Sequence, residues 1–357
     1  MRKPRSVNDA EVGGKRILLR SDLNVPLEDG AVADDTRIRA ALPTIELLVE
    51  RAASRVVICS HLGRPKGPDP KLSLRPVARR LGELLGQEVA FDERGARVTL
   101  LENTRFNPEE TANGDGYARE LASLGDLYVD DAFGSAHRAH ASTVGVAHLL
   151  PAYAGLLLER ELTELGKLLG EVDRPFVLIS GGAKVEDKLG VLKHLGRRAD
   201  TVLIGGKMAE ELRDENPFDF PVVLPEDVVA ASAFAADADR RVIPYDDLPE
   251  GWLGLDIGPI TQHRFAAEIG KAKTVFWNGP MGVFEWPRFA EGTKAVARAV
   301  ADVDGYSVVG GADSARAVNE IGVTDRIDWV STGGGASLEF LEGKELPGVA
   351  VIPESGT

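Results

Sequence analysis

The stretch Phe176-Val177-Leu178-Ile179-Ser180-Gly181-Gly182-Ala183-Lys184 decides the fold. Its apolar run is continuous rather than alternating, as in a parallel strand covered on both faces, and it ends in glycines and a lysine. The pattern recurs along the chain. Residues 16–20, 55–59, 98–101 and 127–129 read as strands of a first half, and 176–179, 201–204, 274–277, 306–309 and 329–330 as strands of a second. Helical patterns lie between them. In residues 37–51 a stripe of Ile38, Leu42, Ile45, Leu48, Val49 and Ala52 forms one face, and Pro43 predicts a kink. This strand-then-helix rhythm implies α/β layers with parallel sheets. It breaks once, at 141–173, which reads as a helix, a stop at Pro151 and a second helix over 156–169 that connects the halves. The tail after Leu346 is rich in proline and glycine and is expected on a surface.

Composition narrows the class. The chain has 357 residues, and at about 100–200 residues per domain that suggests two domains. Hydrophobic residues make up 43% and charged residues 27%, which excludes a disordered chain, a collagen-like repeat and a membrane bundle. The net charge of −14 argues against a general nucleic-acid binder. Cys59 is the single cysteine, so no intrachain disulfide forms and a reducing compartment is expected. The start Met1-Arg2-Lys3-Pro4-Arg5 is basic, but no apolar run follows, so it does not read as a signal peptide. The greasiest stretch, 144–158, is interrupted by His148 and Pro151 and is too short to span a bilayer. A cytoplasmic protein is expected.

Ligands of open parallel sheets bind beyond the carboxyl ends of the strands. In the first half those ends are basic: Arg20-Ser21-Asp22-Leu23-Asn24, then Ser60-His61-Leu62-Gly63-Arg64, then Glu102-Asn103-Thr104-Arg105, then a loop carrying His137, Arg138 and His140. Arg37 and Arg39 open the helix after the first strand. Arg20, Arg37, Arg39, Arg64, Arg105 and Arg138, with His61 and His137, are expected on one rim. Clustered guanidinium groups suit a small multiply charged anion, because each grips phosphate or carboxylate in a fork. Asp22 and Asn24 suit either ordering the arginines or binding substrate hydroxyls. Scattered surface arginines paired with carboxylates are the plain alternative, and their recurrence at successive strand ends argues against it.

In the second half the strand ends are glycine-rich: Gly181-Gly182, Gly205-Gly206-Lys207, Asn278-Gly279-Pro280, Gly310-Gly311-Ala312-Asp313-Ser314 and Gly333-Gly334-Gly335. Glycine admits close approach of backbone to ligand, and helix N-termini offer free N–H groups to phosphate. One such loop is often only a tight turn; five point to a nucleotide or polyphosphate. No G-x-x-x-x-G-K-[ST] occurs, so this is not a P-loop protein, and no dinucleotide fingerprint follows the first strand of either half. Lys184 and Lys188 lie one helical turn apart, and either or both suit phosphate oxygens. Asp313 suits Mg²⁺ or a helix N-cap, two compatible readings. Glu285 suits a ribose hydroxyl or the start of the next helix.

An anion rim and a nucleotide rim suggest phosphoryl transfer, which needs positioning and positive charge more than covalent chemistry. A hinge must then close to exclude water. No nucleophile stands out.

At these residues the chain resembles the phosphoglycerate kinase family, of the bacterial type. The match runs from about Val7 to Pro347 and is most specific in 20–27, 35–45, 60–65, 101–106, 131–142, 181–188, 277–285 and 331–343. The resemblance implies two Rossmann-like parallel α/β domains joined by a helical hinge: a triose-phosphate-binding domain over 1–153, a nucleotide-binding domain over 154–345 with a connector helix at about 155–170, and a tail over 346–357 returning to the first domain. It implies reversible, Mg²⁺-dependent transfer of the acyl phosphate of 1,3-bisphosphoglycerate to ADP, giving 3-phosphoglycerate and ATP. By position, Asp22, Asn24, Arg37, His61, Leu62, Gly63, Arg64, Arg105 and Arg138 look like the triose-phosphate site. Arg37 and Lys184 look like the residues that neutralise the transferring group, aided by the helix start at Gly334 and Gly335. Lys188 would contact nucleotide phosphate. Gly205, Gly206, Gly254, Asn278 and Glu285 look like base and ribose contacts, and Gly311, Ala312, Asp313 and Ser314 like the phosphate and Mg²⁺ turn. A monomer acting on small molecules, without nucleic acid or membrane, is expected.

The chain departs from the family pattern by being shorter. A helix is missing between Phe91 and Val98, and after Met208 the chain reaches Leu224-Pro225-Glu226-Asp227 early, where the family has a longer excursion beside the adenine pocket. Lys207 and Ala312 stand where glycine is usual, and Arg160 where lysine is familiar. These changes spare the phosphate residues and bear on the base end. The competing reading is a homologue that binds nucleotide or anion without turnover; Arg37, Lys184 and Asp313 argue against it. A dehydrogenase fails on the missing fingerprint.

Overall fold

The computed structural model describes residues 3–356; Met1, Arg2 and Thr357, which the sequence reading assigned to the ends of the first domain and the tail, lie outside the described residues. The chain divides into two compact units, Met1–Thr163 with Glu345–Thr357, and Glu164–Lys344.

The first unit is built on β1 (Arg16–Ser21), a small hairpin of β2 (Leu27–Glu28) and β3 (Ala31–Val32), α1 (Thr36–Glu50), β4 (Arg55–Cys59), α2 (Arg75–Leu85), β5 (Ala90–Phe91), β6 (Val98–Leu100), α3 (Asp115–Ala122), β7 (Leu127–Asp131), β8 (Ala152–Ala154) and the start of α4 (Leu156–Lys167). Its sheet runs β5-β6-β4-β1-β7-β8. Every pairing in it is parallel. Ile17, Leu19, Val56, Ile58, Leu100 and Val129 from the strands pack with Ile38, Ile45, Leu48, Val77 and Leu81 from α1 and α2 into one core. Pro43 sits inside α1, which continues to Glu50. The expected stripe is corrected at its end: Ala52 is exposed, with φ +57, and Ala53 takes the buried place. The helix stops at Glu50, so the 3.6-residue period no longer applies there.

The second unit contains β9 (Phe176–Ser180), α5 (Leu189–Gly196), β10 (Thr201–Ile204), α6 (Met208–Asp214), β11 (Asp227–Ala231), β12 (Arg240–Pro244), β13 (Leu253–Ile257), α7 (Pro259–Ile269), β14 (Thr274–Asn278), α8 (Glu291–Ala301), β15 (Tyr306–Gly310), α9 (Ala312–Ile321), β16 (Trp329–Val330) and α10 (Gly335–Leu341). A parallel sheet of order β10-β9-β14-β15-β16 carries the core, with Ile179, Trp277 and Val309 against Phe265, Val296 and Val318. Both units are thus Rossmann-like α/β layers. All five residues of β9 and of β14 are buried, which is why neither strand alternates.

Two segments differ from the sequence reading. The helix expected before Pro151 is instead a π-helical turn (Ala141–Gly145) and a 3-10 turn (Val146–His148), followed by β8, an added parallel strand, while the second expected helix is α4. The second unit also holds an antiparallel sheet, β12-β11-β13, where strands and helices were expected to alternate. It has its own small core of Val229, Ala231, Leu255 and Phe289. Its edge strand, Arg-Arg-Val-Ile-Pro, is mostly exposed, and charge and proline on an edge mask the strand pattern.

The tail forms α11 (Pro347–Ala350) and belongs to the first unit: the Gly348 N–H donates to the Ala136 carbonyl at 2.8 Å and the Ser355 N–H to the Lys3 carbonyl at 3.0 Å.

The start of α4 is capped at a distance. Asp131, at the end of β7, accepts the Leu157 and Leu158 N–H groups on Oδ1 at 2.9 and 3.2 Å, and its Oδ2 is buried without a partner. Burial outweighs these bonds and pushes the carboxyl up from 3.8 to about 7. Between those values the folded state holds a proton that the unfolded state has lost, so stability falls as pH rises, by about 1.4 kcal/mol per pH unit. Asp256 and Asp130, also raised by burial, add slopes of the same sign, so Asp131→Asn, which keeps Oδ1, is expected to make the profile shallower by about that one-proton amount; urea titrations at a series of pH values read the difference, and parallel profiles for the two proteins would refute it.

Candidate active site

In the first unit the chemistry gathers where β1, β4 and β6 end. Asp22 is buried and pairs with Arg37, whose Nη1 donates to Oδ1 at 3.2 Å and to the Asn24 carbonyl at 3.2 Å. Burial alone would raise the Asp22 carboxyl, but Arg37, His61 and Arg20 together hold it below the usual range. Asn24 Oδ1 accepts from the Gly63 N–H at 2.9 Å, and Arg105 donates to the Gly63 carbonyl at 2.6 Å. Asn103 clamps Leu62 from both sides, accepting its N–H at 3.2 Å and donating to its carbonyl at 2.8 Å. Thus Asp22, Asn24, Arg37, His61, Leu62, Gly63 and Arg105 form one connected network. Arg64 and Arg138 are exposed, and neither guanidinium makes a hydrogen bond or ion pair among the described residues. Burial, with the charges of Arg20 and Arg64, lowers Arg105.

Two expected rim arginines sit elsewhere. Arg20 is fully buried and serves as an internal tie. Arg39 pairs with Asp35 on its own helix at 2.8 Å. Asn103 was quoted in the sequence but given no role; its position two residues before Arg105, in a strand-to-turn junction, was the available signal.

In the second unit a cavity of about 880 Å³ opens beyond the ends of β9, β14 and β15. Lys184, Lys188, Gly206, Gly254, Asn278, Glu285, Gly311, Ala312, Asp313, Ser314, Gly334 and Gly335 all line it. Gly205 does not; it packs against Met281, whose Sδ is 2.5 Å from where a Cβ would stand. Its lining combines lysines and the starts of α9 and α10 with an apolar slot of Phe234, Leu253, Leu255 and Val283. The antiparallel sheet, unforeseen in sequence, supplies part of that slot through β13. Phe234 is exposed and lies against Trp286, ring centres 4.8 Å apart.

Two glycines set the loop geometry. Gly279 has φ +92, and a Cβ there would fall 2.0 Å from Lys188 Nζ. Gly311, φ +91, precedes α9, and a Cβ would fall 2.7 Å from Asn278 Nδ2. Lys188 Nζ donates to the Gly181 carbonyl and to the Asn278 carbonyl, the latter at 3.0 Å. Burial lowers it to about 8, against the pull of Asp313 and Asp187. Asn278 Oδ1 is buried and unpartnered at the cavity wall. Lys184 is exposed and unpaired among the described residues.

The alternative roles weighed for two acids are corrected. Gly311, not Asp313, is the residue at the α9 N-cap, and Asp313 lies in the first turn without a side-chain cap bond. Glu285 does not cap the turn at Pro287; it pairs with Arg316 at 2.5 Å. Arg316 also lies over the Phe284 ring at 4.6 Å and 3.9 Å from Asp313. After α6, only a short irregular segment leads to β11, as the sequence implied, and the Phe220 ring fills the space beside Gly196.

An arginine network at parallel strand ends in one unit, and in the other a cavity lined by lysines, helix starts and an apolar slot, fit a phosphotransferase. The comparisons name its kind. The phosphoglycerate kinase family profile matches residues 7–220 and 214–344, two pieces that meet in the shortened segment. A phosphoglycerate kinase of Moorella thermoacetica is 51% identical over 389 residues, covering 98% of this chain and 99% of its own. One from Rubrobacter xylanophilus is 53% identical over 387 residues, covering 98% of each. The solved phosphoglycerate kinase of Pyrococcus horikoshii superposes with TM-score 0.85 at 33% identity, covering 98% of each chain. That of Coxiella burnetii gives 0.83 at 37%, also covering 98% of each. The chain belongs to the phosphoglycerate kinase family. It is a glycolytic phosphotransferase with a carboxyl acceptor, moving the acyl phosphate of 1,3-bisphosphoglycerate to ADP, and it uses ATP and ADP as co-substrates.

ADP affinity is expected to fall as pH rises past 8, as Lys188 loses its charge, and to lose that dependence in Lys188→Met. Gly279→Ala is expected to weaken ADP at least about tenfold, since left-handed backbone and close contacts both exclude a methyl group. Calorimetric titration checks both; wild-type affinity in Gly279→Ala would remove Gly279 from the site.

Proposed function

We propose that the first unit binds the triose phosphate and the second binds the nucleotide, with Arg37 and Lys184 acting on the transferring phosphoryl group. The observation that carries this reading is the division of charge: the first unit keeps Arg64 and Arg138 without partners, with a half-buried Arg37 held by the buried Asp22, and the second keeps Lys184 unpaired at its cavity. Fixed cations next to the transferring group stabilise charge spread over its oxygens without reorganising during the step. Asp22 orients Arg37; Asn24 and Arg105 hold the Gly63 turn. On the nucleotide side, Lys188 and the starts of α9 and α10 would meet phosphate. Gly206 and Gly254 would lie along the base, Gly205 would support them from behind, and Glu285 would take ribose hydroxyls. In-line transfer from a carboxyl oxygen needs no covalent intermediate on the enzyme, and closure at the hinge would exclude water.

The donor set fits Mg²⁺. Asp313 is an exposed carboxylate beside Ser314 at the cavity, and Mg²⁺ is commonly held by one or two carboxylates plus nucleotide oxygens. Asp313 would hold the ion, which neutralises nucleotide phosphate when bound. A monomer in the cytoplasm fits the single buried cysteine and the finding that, among the described residues, no helix is long and apolar enough to cross a membrane.

A coupled assay tests the reading: 3-phosphoglycerate, ATP and Mg²⁺, with 1,3-bisphosphoglycerate followed through reduction by an added dehydrogenase. Turnover is expected, and Arg37→Ala and Lys184→Ala are each expected to cut it by two orders of magnitude or more, about 3 kcal/mol or more of barrier, with circular dichroism unchanged. Near-normal turnover in both variants would refute their roles.

A further inference from the structure

Arg20 ends β1 in the interior, and four of its bonds are fixed by protein. Nε donates to Ser142 Oγ at 2.8 Å, Nη1 to the Ser21 carbonyl at 2.5 Å, and Nη2 to His61 Nδ1 at 3.0 Å and Ser135 Oγ at 3.4 Å. Ser142 is itself held by Glu110, whose Oε1 accepts from Oγ at 2.6 Å and Oε2 from the Ser142 N–H at 3.0 Å. Tyr128 Oη donates to the Ser142 carbonyl at 2.8 Å. Arg20, Glu110, Tyr128 and Ser142 are all fully buried, so this is a rigid polar girder under the strand ends.

A guanidinium has donors and no acceptor. The Arg20–His61 contact therefore has one possible direction: Nδ1 of His61 accepts and carries no proton. His61 is 5% exposed, and burial, with the Arg20, Arg105 and Arg37 charges and against Asp22, keeps the ring neutral. A neutral imidazole with a bare Nδ1 has its proton on Nε2. That nitrogen makes no hydrogen bond among the described residues, and it is not among the enclosed orphan atoms.

We infer that Arg20 is a positioning residue that locks His61 in its Nε2–H tautomer, so that His61 meets the triose phosphate only as a hydrogen-bond donor to one of its oxygens. The inference rests on the placement of His61 in the triose-phosphate site. Arg20 acts through His61 and touches no reacting atom. The lock has a directional consequence: the histidine selects an acceptor on the substrate, and it neither takes a proton from a substrate hydroxyl nor accepts a bond from one. Lysine cannot replace Arg20 here, because one ammonium cannot span Ser142, the Ser21 carbonyl and His61 in a planar fork.

The test uses the full chain with ¹⁵N-labelled histidine. Multiple-bond proton–nitrogen spectra of the wild type are expected to show His61 with a bare imine Nδ1 and a protonated Nε2, the resonances being assigned by their loss in His61→Gln. In Arg20→Lys the two tautomers are expected to mix, and KM for 3-phosphoglycerate to rise about tenfold, the loss expected of one hydrogen bond to a charged group, while KM for ATP stays at the wild-type value. His61→Gln offers an N–H near the Nε2 position and has no tautomer to lock, so adding Arg20→Lys to it is expected to raise KM no further. A protonated Nδ1 in the wild type overturns the inference, and that spectrum needs no Arg20 variant to fold. So does an equal rise in KM from Arg20→Lys with His or Gln at 61. An unchanged KM for 3-phosphoglycerate in His61→Ala, beside a wild-type spectrum showing the bare Nδ1, would instead refute the placement of His61 at the substrate.

Discussion

A strand covered by helices on both faces has no free side for polar work. In both parallel sheets the strand interiors are buried residue by residue, so charged groups collect at the ends. The architecture follows from that constraint. At one set of ends the chain places arginines braced by Asp22, Asn24 and Asn103. At the other it places glycine turns and helix starts, which offer N–H groups in place of side chains. The two solutions suit the two halves of the reaction. On the proposed reading, a small triose phosphate would be gripped by forks and a longer nucleotide cradled by backbone.

Most of this was legible in the sequence, because continuous apolar runs survive any tertiary context. The strands at 55–59, 201–204 and 329–330 were read with the bounds the fold has. The glycine-rich loops were legible for the same reason: each follows a buried run directly, and twelve of the thirteen nucleotide-side residues singled out line one cavity. Gly205 departs because its neighbour Met281 comes from another loop, a contact that spacing along the chain does not encode.

What was hidden depends on partners far away in sequence. Arg20 looked like a rim residue since it follows a strand, yet its charge is buried because Ser142, 122 residues on, and Glu110 close over it. The antiparallel sheet was missed because its edge strand carries arginines and a proline, features that protect an edge and erase its pattern. Glu285 is engaged by Arg316, from the helix that starts after the next strand, so no local rule links them. The apolar slot therefore has a composition that only the assembled second unit reveals.

The clasp between the two ends of the chain gives the fold an order in time. Arg5 donates its N–H to the Pro353 carbonyl at 2.8 Å, and Pro4 bridges to Glu354, so residues that come after the second unit complete the unit begun first. During synthesis from the N-terminus, the second unit has all its strands before the first unit has this seam. A chain cut after Lys344 would thus keep every strand of the second unit and leave the first open along one edge, the edge that residues 345–355 close.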